Sequence, residues 1–143
     1  MHARPRHTEP LLSLRIFCVA AAVPLLLRLR LARLEAIIEP RGPRAACDEL
    51  RAEWLAARVD RVIAAGRPVI RPGCLTRGVT RFYFLRRAGL DVRLQFGVGE
   101  VDGSREGHCW LTRDGEPYLE RVDPRPVFAG TYSIPSRARA ARA

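Results

Sequence analysis

Lysine is absent from this chain, and all 25 basic residues are arginine, so the formal charge of +10 is carried by one side-chain type. The excess is missing where a nucleic-acid surface would need it. Residues 1–44 hold eight arginines against three acids and residues 135–143 hold three against none, whereas residues 45–134 hold 14 against 12. A nucleic-acid binder is expected to carry a basic stripe with interleaved aromatics on its folded core. A nearly neutral middle between two basic ends provides none, so no specific nucleic-acid partner is expected.

The cysteines at 18, 47, 74 and 109 form no CxxC pair and show no zinc-finger spacing, and 143 residues is large for a disulfide-stapled scaffold. Reduced thiols in a cytoplasmic setting are expected. Internal repeats are absent, and the one low-complexity run is the ending SRARAARA. No small-x-small cleavage site follows LLSLRIFCVAAAVPLLL at 11–27, which carries Arg15 and Pro24 and runs on into RLRLARLEAII with helical spacing. A buried or surface-docking amphipathic helix is expected there. The second reading is association of residues 11–38 with the inner face of a membrane.

What remains is enough for one domain: 48% of the residues are apolar and 28% charged, the balance of a chain with a real core. A flexible tail is expected at 1–10 and a flexible basic tail at 135–143. Between them, 11–134 reads as a single domain, with a helical part at 11–65 and a catalytic core at 70–124. Helix is expected over about 11–38, broken near Pro24, until EPRGPR at 39–44 ends it. A second helix, about 46–65, has Asp48 as its cap and Leu50, Trp54, Leu55, Val59 and Val62 at helical spacing. A third runs from 74 to 88, with Gly89 where a helix stops. LDVRLQFGV at 90–98 alternates as a half-buried strand, GEVDGSREG is a polar loop, and HCWLTRDGEPYLERVD is two strands joined at Asp114-Gly115. Helices followed by an antiparallel sheet make an α+β domain.

Cys74 stands at the start of the third helix. A thiol there faces unpaired N–H groups and the positive end of the helix dipole, which favour the thiolate and can also hold an oxyanion. Such a nucleophile needs a base, and outside the N-terminal tail the only imidazole is His108, on a strand 34 residues downstream. A third group should hold that imidazole. If the hairpin turns through a three-residue Arg113-Asp114-Gly115 loop, residue 112 pairs with 116 and 108 with 120. Glu120 then faces His108, with Asp123 as the alternative.

Each residue has a plainer reading. Cys74, like Cys18, Cys47 and Cys109, suits a buried inert thiol. His108 suits a satisfied strand histidine and Trp110 the core. A metal site from Cys74, His108 and Cys109 is disfavoured because adjacent strand residues point to opposite faces. No cofactor is expected.

The stretch CLTRGVTRFYFLRRAGLDVRLQFGVG followed by GHCWLTRDGEPYLE resembles the transglutaminase-like cysteine peptidases of bacterial lasso-peptide biosynthesis, which cut the leader from a ribosomally made precursor. The likeness is carried by Cys74 to Arg77, by Leu85 to Gly89, and by His108, Trp110, Asp114 and Gly115, within roughly 70–122. It implies a papain/transglutaminase-like fold, with N-terminal helices and a nucleophile-bearing helix packed on a small antiparallel sheet. By the same likeness Cys74 is the nucleophile, His108 the base and Glu120, where an Asp is usual, the third member. Cys109 between His108 and Trp110, and Arg113, depart from the pattern. The partners implied are a precursor peptide, a separate leader-recognition protein and an asparagine-synthetase-like, ATP-using cyclase. Two rival readings are a transglutaminase-like acyltransferase or peptidase acting on another peptide, and a non-catalytic, membrane-attached interaction protein.

Overall fold

The computed structural model describes residues 9–42 and 46–136. Of the tails expected at 1–10 and 135–143, residues 1–8 and 137–143 lie outside the described residues, whereas residues 9 and 10 already belong to the first helix and residues 135 and 136 pack against the domain. Among the described residues four helices pack on a four-stranded antiparallel sheet, so the α+β class holds. The helices are α1 (Glu9–Leu26), α2 (Leu31–Ile38), α3 (Glu49–Ala65) and α4 (Cys74–Arg87). The strands are β1 (Arg93–Val101), β2 (Ser104–Arg113), β3 (Glu116–Tyr118) and β4 (Phe128–Ile134), in the order β3-β2-β1-β4.

The helix ends follow from local chemistry. α1 continues for two residues past Pro24, then tightens through the bonds Arg28 N–H to Leu25 O and Leu29 N–H to Leu26 O, both 3.1 Å. Arg30 is extended and α2 begins after it, so the break expected near Pro24 falls at residues 27–30. The Asp48 carboxylate accepts from the Arg51 N–H at 2.7 Å and caps α3. α4 ends in a Schellman motif, with Leu90 N–H bonded to Leu85 O and Gly89 N–H to Arg86 O.

α1 is not amphipathic in the expected way. It buries Ile16, Ala20 and Val23 but leaves Leu11, Leu14 and Leu25 about 60% exposed. No helix among the described residues is long and apolar enough to cross a membrane. Leu50, expected on the buried face of α3, is 80% exposed, because that face is built instead by Ala52, Leu55, Ala56 and Val59.

The sheet differs most from expectation at 99–107. Instead of a polar loop, β1 and β2 continue to a two-residue turn at Asp102 and Gly103, whose φ values of 50° and 76° give the twist a hairpin needs. Asp114-Gly115 forms a second such turn, with φ of 52° and 84°. Two residues in the turn put Arg113 opposite Glu116 and Leu111 opposite Tyr118. The three-residue loop, and the pairing of 108 with 120 deduced from it, are therefore wrong. β4, unanticipated, lies along the free edge of β1 with a bulge opposite Phe96/Gly97. The chain stays docked beyond it: Pro135 is buried, and Ser136 N–H donates to the buried Glu35 carboxylate at 2.8 Å.

The core lies between the helices and one face of the sheet, where Val79, Phe82 and Leu85 of α4 meet Leu94, Leu111 and Ile134. Two arginines join it. Arg86 pairs with Glu39 and Asp91, and Arg81 with Asp60, each arginine less than a tenth exposed. These side chains tie α4 to its neighbours.

Candidate active site

Cys74 is the first residue of α4, and the approach to it is fixed by the helix itself. The Thr76 hydroxyl donates to Arg71 O at 2.8 Å, which pins the Arg71-Pro72-Gly73 segment to the first turn. Gly73 is the N-cap, extended and without a capping side chain. The first N–H groups of a helix have no partner within it, and a glycine cap leaves them open to a ligand. Cys74 is half-buried and lines a pocket of about 330 Å³ between α3 and α4, which Pro72, Ile63, Asp60 and Arg77 also reach.

One turn further along, α4 crosses β2 at close range. A Cβ on Gly78 would lie 2.7 Å from Cys109 Sγ and 3.3 Å from Leu94 Cδ1. Only a hydrogen there lets the helix seat this near the strand. Cys109 is consequently buried, and desolvation pushes its thiol well above the usual range, with the charges of Cys74 and Glu120 adding to the rise.

Because successive residues of β2 face opposite ways, His108 lies on the other side of the strand from Cys109, with Trp110. Its ring stacks on Phe128 of β4 at 4.8 Å and on Trp110 at 5.8 Å between centroids. Trp110 is 2% exposed, and its indole N–H has no partner among the described residues.

Glu120 comes to the site from beyond β3. Leu119 has φ of 57°, a left-handed kink that breaks the strand alternation, and its carbonyl accepts from Arg81 at 2.9 Å. The next side chain, Glu120, is 9% exposed and stands 3.7 Å from Arg77. Burial pushes its carboxyl up, and Arg77, Arg81, a backbone bond from Leu111 and His108 pull in the opposite sense. The alternative acid, Asp123, lies on the surface, chelated by Arg125, which holds it below the usual carboxylate range.

The structure therefore gathers Cys74, Arg77, Cys109 and Glu120 around the start of α4, with Glu120 within electrostatic reach of His108. Among the described residues no hydrogen bond joins Cys74, His108 and Glu120 to one another. Such bonds are commonly long before substrate closes a site. No group of three or more His, Cys, Asp or Glu among the described residues could hold a metal ion. The four cysteines are free thiols.

Reading the sequence missed Arg81, Asp60 and Phe128. Phe128 had a signal, since Phe128, Gly130, Tyr132 and Ile134 alternate with the small residues Ala129, Thr131 and Ser133 in strand fashion. Arg81 and Asp60 had none, as their pairing depends on the crossing of α3 and α4.

A thiol opening a helix that packs on an antiparallel sheet, with a histidine on the crossed strand, defines a class of α+β domain. The model of the Transglutaminase-like superfamily matches residues 17–133, and the chain belongs to that superfamily. Its members usually have cysteine peptidase or acyltransferase activity. No curated protein and no solved structure matches the chain.

Proposed function

We propose that this protein is a cysteine peptidase that removes the leader from a ribosomally made, lasso-type precursor peptide. The observation that carries the reading is Cys74 on the uncapped first turn of α4, open to a pocket, within a transglutaminase-like domain. The narrower assignment is supported by the likeness of 70–122 to the lasso-peptide leader peptidases.

In this reading the Cys74 thiolate adds to the carbonyl carbon of the leader–core junction while the first N–H groups of α4 hold the oxyanion. The C–N bond breaks, the imidazolium of His108 gives its proton to the departing amine, and a thioester to the leader remains. Water, deprotonated by His108, cleaves the thioester and restores the thiolate. Glu120 orients and balances the imidazole, and its burial and electrostatic link to His108 favour it over Asp123. The precursor is presented by a separate leader-recognition protein, and an asparagine-synthetase-like cyclase takes up the freed amine. Surface association through α1 and α2 is supported by exposed Leu11, Leu14, Leu25 and Leu31 beside Arg15, Arg28, Arg30 and Arg33.

The test is incubation with a precursor and its recognition partner, read by mass. Two fragments summing to the precursor plus one water are expected. Unchanged cleavage by Cys74→Ala sinks the mechanism, and a product joined to an added amine shows acyl transfer instead.

A further inference from the structure

We propose that the pocket beside Cys74 selects peptides that carry a carboxylate side chain next to the attacked carbonyl. The inference deepens the reading above and rests on Cys74 as the nucleophile. The pocket has three charged side chains, Asp60, Arg67 and Arg77. Asp60 is already neutralised, because both its oxygens accept from the buried Arg81, one of them at 3.0 Å. Arg77 is 41% exposed, and it meets Glu120 only at 3.7 Å, with no hydrogen bond between them among the described residues. Arg67 is exposed and has no ion pair among the described residues. The chamber that receives substrate therefore holds one guanidinium without a counter-charge and a second with donors to spare.

A guanidinium presents its donors in a fork that fits a carboxylate, and a charged acceptor makes the stronger bond. Ile63 and Ala64, on the α3 wall of the same pocket, give an aspartyl or glutamyl stem an apolar surface. A glutamine in the same place keeps the shape and loses the charge. A lysine meets two like charges.

The experiment needs neither the precursor nor its partner. The full chain is treated with the Nα-chloroacetyl derivatives of glutamate, glutamine and lysine, each with its α-carboxyl blocked as the primary amide, and alkylation at each cysteine is followed by peptide mass. Cys18, exposed on α1 and outside the pocket, serves as the internal reference for the overall positive charge. Relative to Cys18, Cys74 is expected to react about 1.5- to 5-fold faster with the glutamate probe than with the glutamine probe, the range of exposed ion pairs, and slowest with lysine. Arg67→Ala is expected to remove most of that preference while leaving the Cys18 rates unchanged. Equal relative rates for the three probes, or a preference that survives in Arg67→Ala/Arg77→Ala, overturns the proposal. Its failure is separable from that of the peptidase reading, which falls if Cys74→Ala still processes precursor.

Discussion

Arg81 donates at 2.9 Å to the carbonyl of Leu119, the residue that delivers Glu120 to the site, while its other nitrogens hold Asp60 on α3. One buried guanidinium thus fixes α3 and the segment after β3 to the same turn of α4. Replacing it with methionine keeps the stem and leaves the Leu119 carbonyl and Asp60 without their donor. The Arg81→Met variant is expected to lose about 2–3 kcal/mol of stability, the usual worth of hydrogen bonds to charged groups in a part-buried setting. A urea midpoint unchanged from the parent would show that the contact does not hold the fold.

The crossing of α4 over β2 makes a second prediction. Gly78→Ala places a methyl 2.7 Å from Cys109 Sγ, and a short side chain on a paired strand has little room to withdraw. The substitution is expected to cost about 1–3 kcal/mol. Cys109→Ala removes the offending sulfur, so the double variant should be more stable than Gly78→Ala alone. A double-mutant cycle from denaturation midpoints measures the coupling, and simple additivity would disprove the clash.

These contacts also mark how far the sequence could be read. The helices were legible because apolar spacing and caps are local: Asp48 and Gly89 each act within a turn of their own position. The hairpins were half legible. Asp114-Gly115 reads as a turn from its residues, but whether the turn holds two residues or three is not local information, and the partner of 108 depends on that count. The equivalent Asp102-Gly103 lay inside a polar stretch, since β1 and β2 extend into solvent there and have no apolar face to reveal them. Cys74 stood out from its helix start. The place of Glu120 depends on a left-handed leucine and an arginine on another element, and nothing in the spacing of residues encodes either.

The thiols should separate by accessibility. Cys109 is 1% exposed with its thiol pushed well above the usual range, whereas Cys74 opens on a pocket and Cys18 on solvent. In native protein at pH 8, iodoacetamide is expected to modify Cys74 and Cys18 and to spare Cys109, with all four modified after unfolding in guanidinium. Peptide mass mapping over time checks the order. Early modification of Cys109 would mean that α4 lifts from β2 in the native state.

The two acids proposed for the third role carry opposite pH signatures. Glu120 has its folded pKa raised, chiefly by burial, so its contribution is fully present below the unfolded pKa and is lost as pH rises through the folded one. At neutral pH the parent loses stability by ionising, or by holding a proton against solution, in this buried place, whereas Glu120→Gln does neither, so the variant should be the more stable. Its advantage should fade as pH falls through the ordinary carboxyl range, where parent and variant come to differ less in charge. Asp123 has its folded pKa lowered by Arg125, so its contribution is present above the unfolded pKa and lost as pH falls through the folded one. Asp123→Asn is therefore expected to be slightly less stable at neutral pH, by an amount that salt reduces because the pair is exposed. Denaturation midpoints at pH 4 and 7 read both signs. If Glu120 orients the imidazole, its glutamine variant is the more stable protein and the weaker enzyme, while Asp123→Asn processes precursor at the parental rate. The reverse pattern of activity would transfer the third role to Asp123.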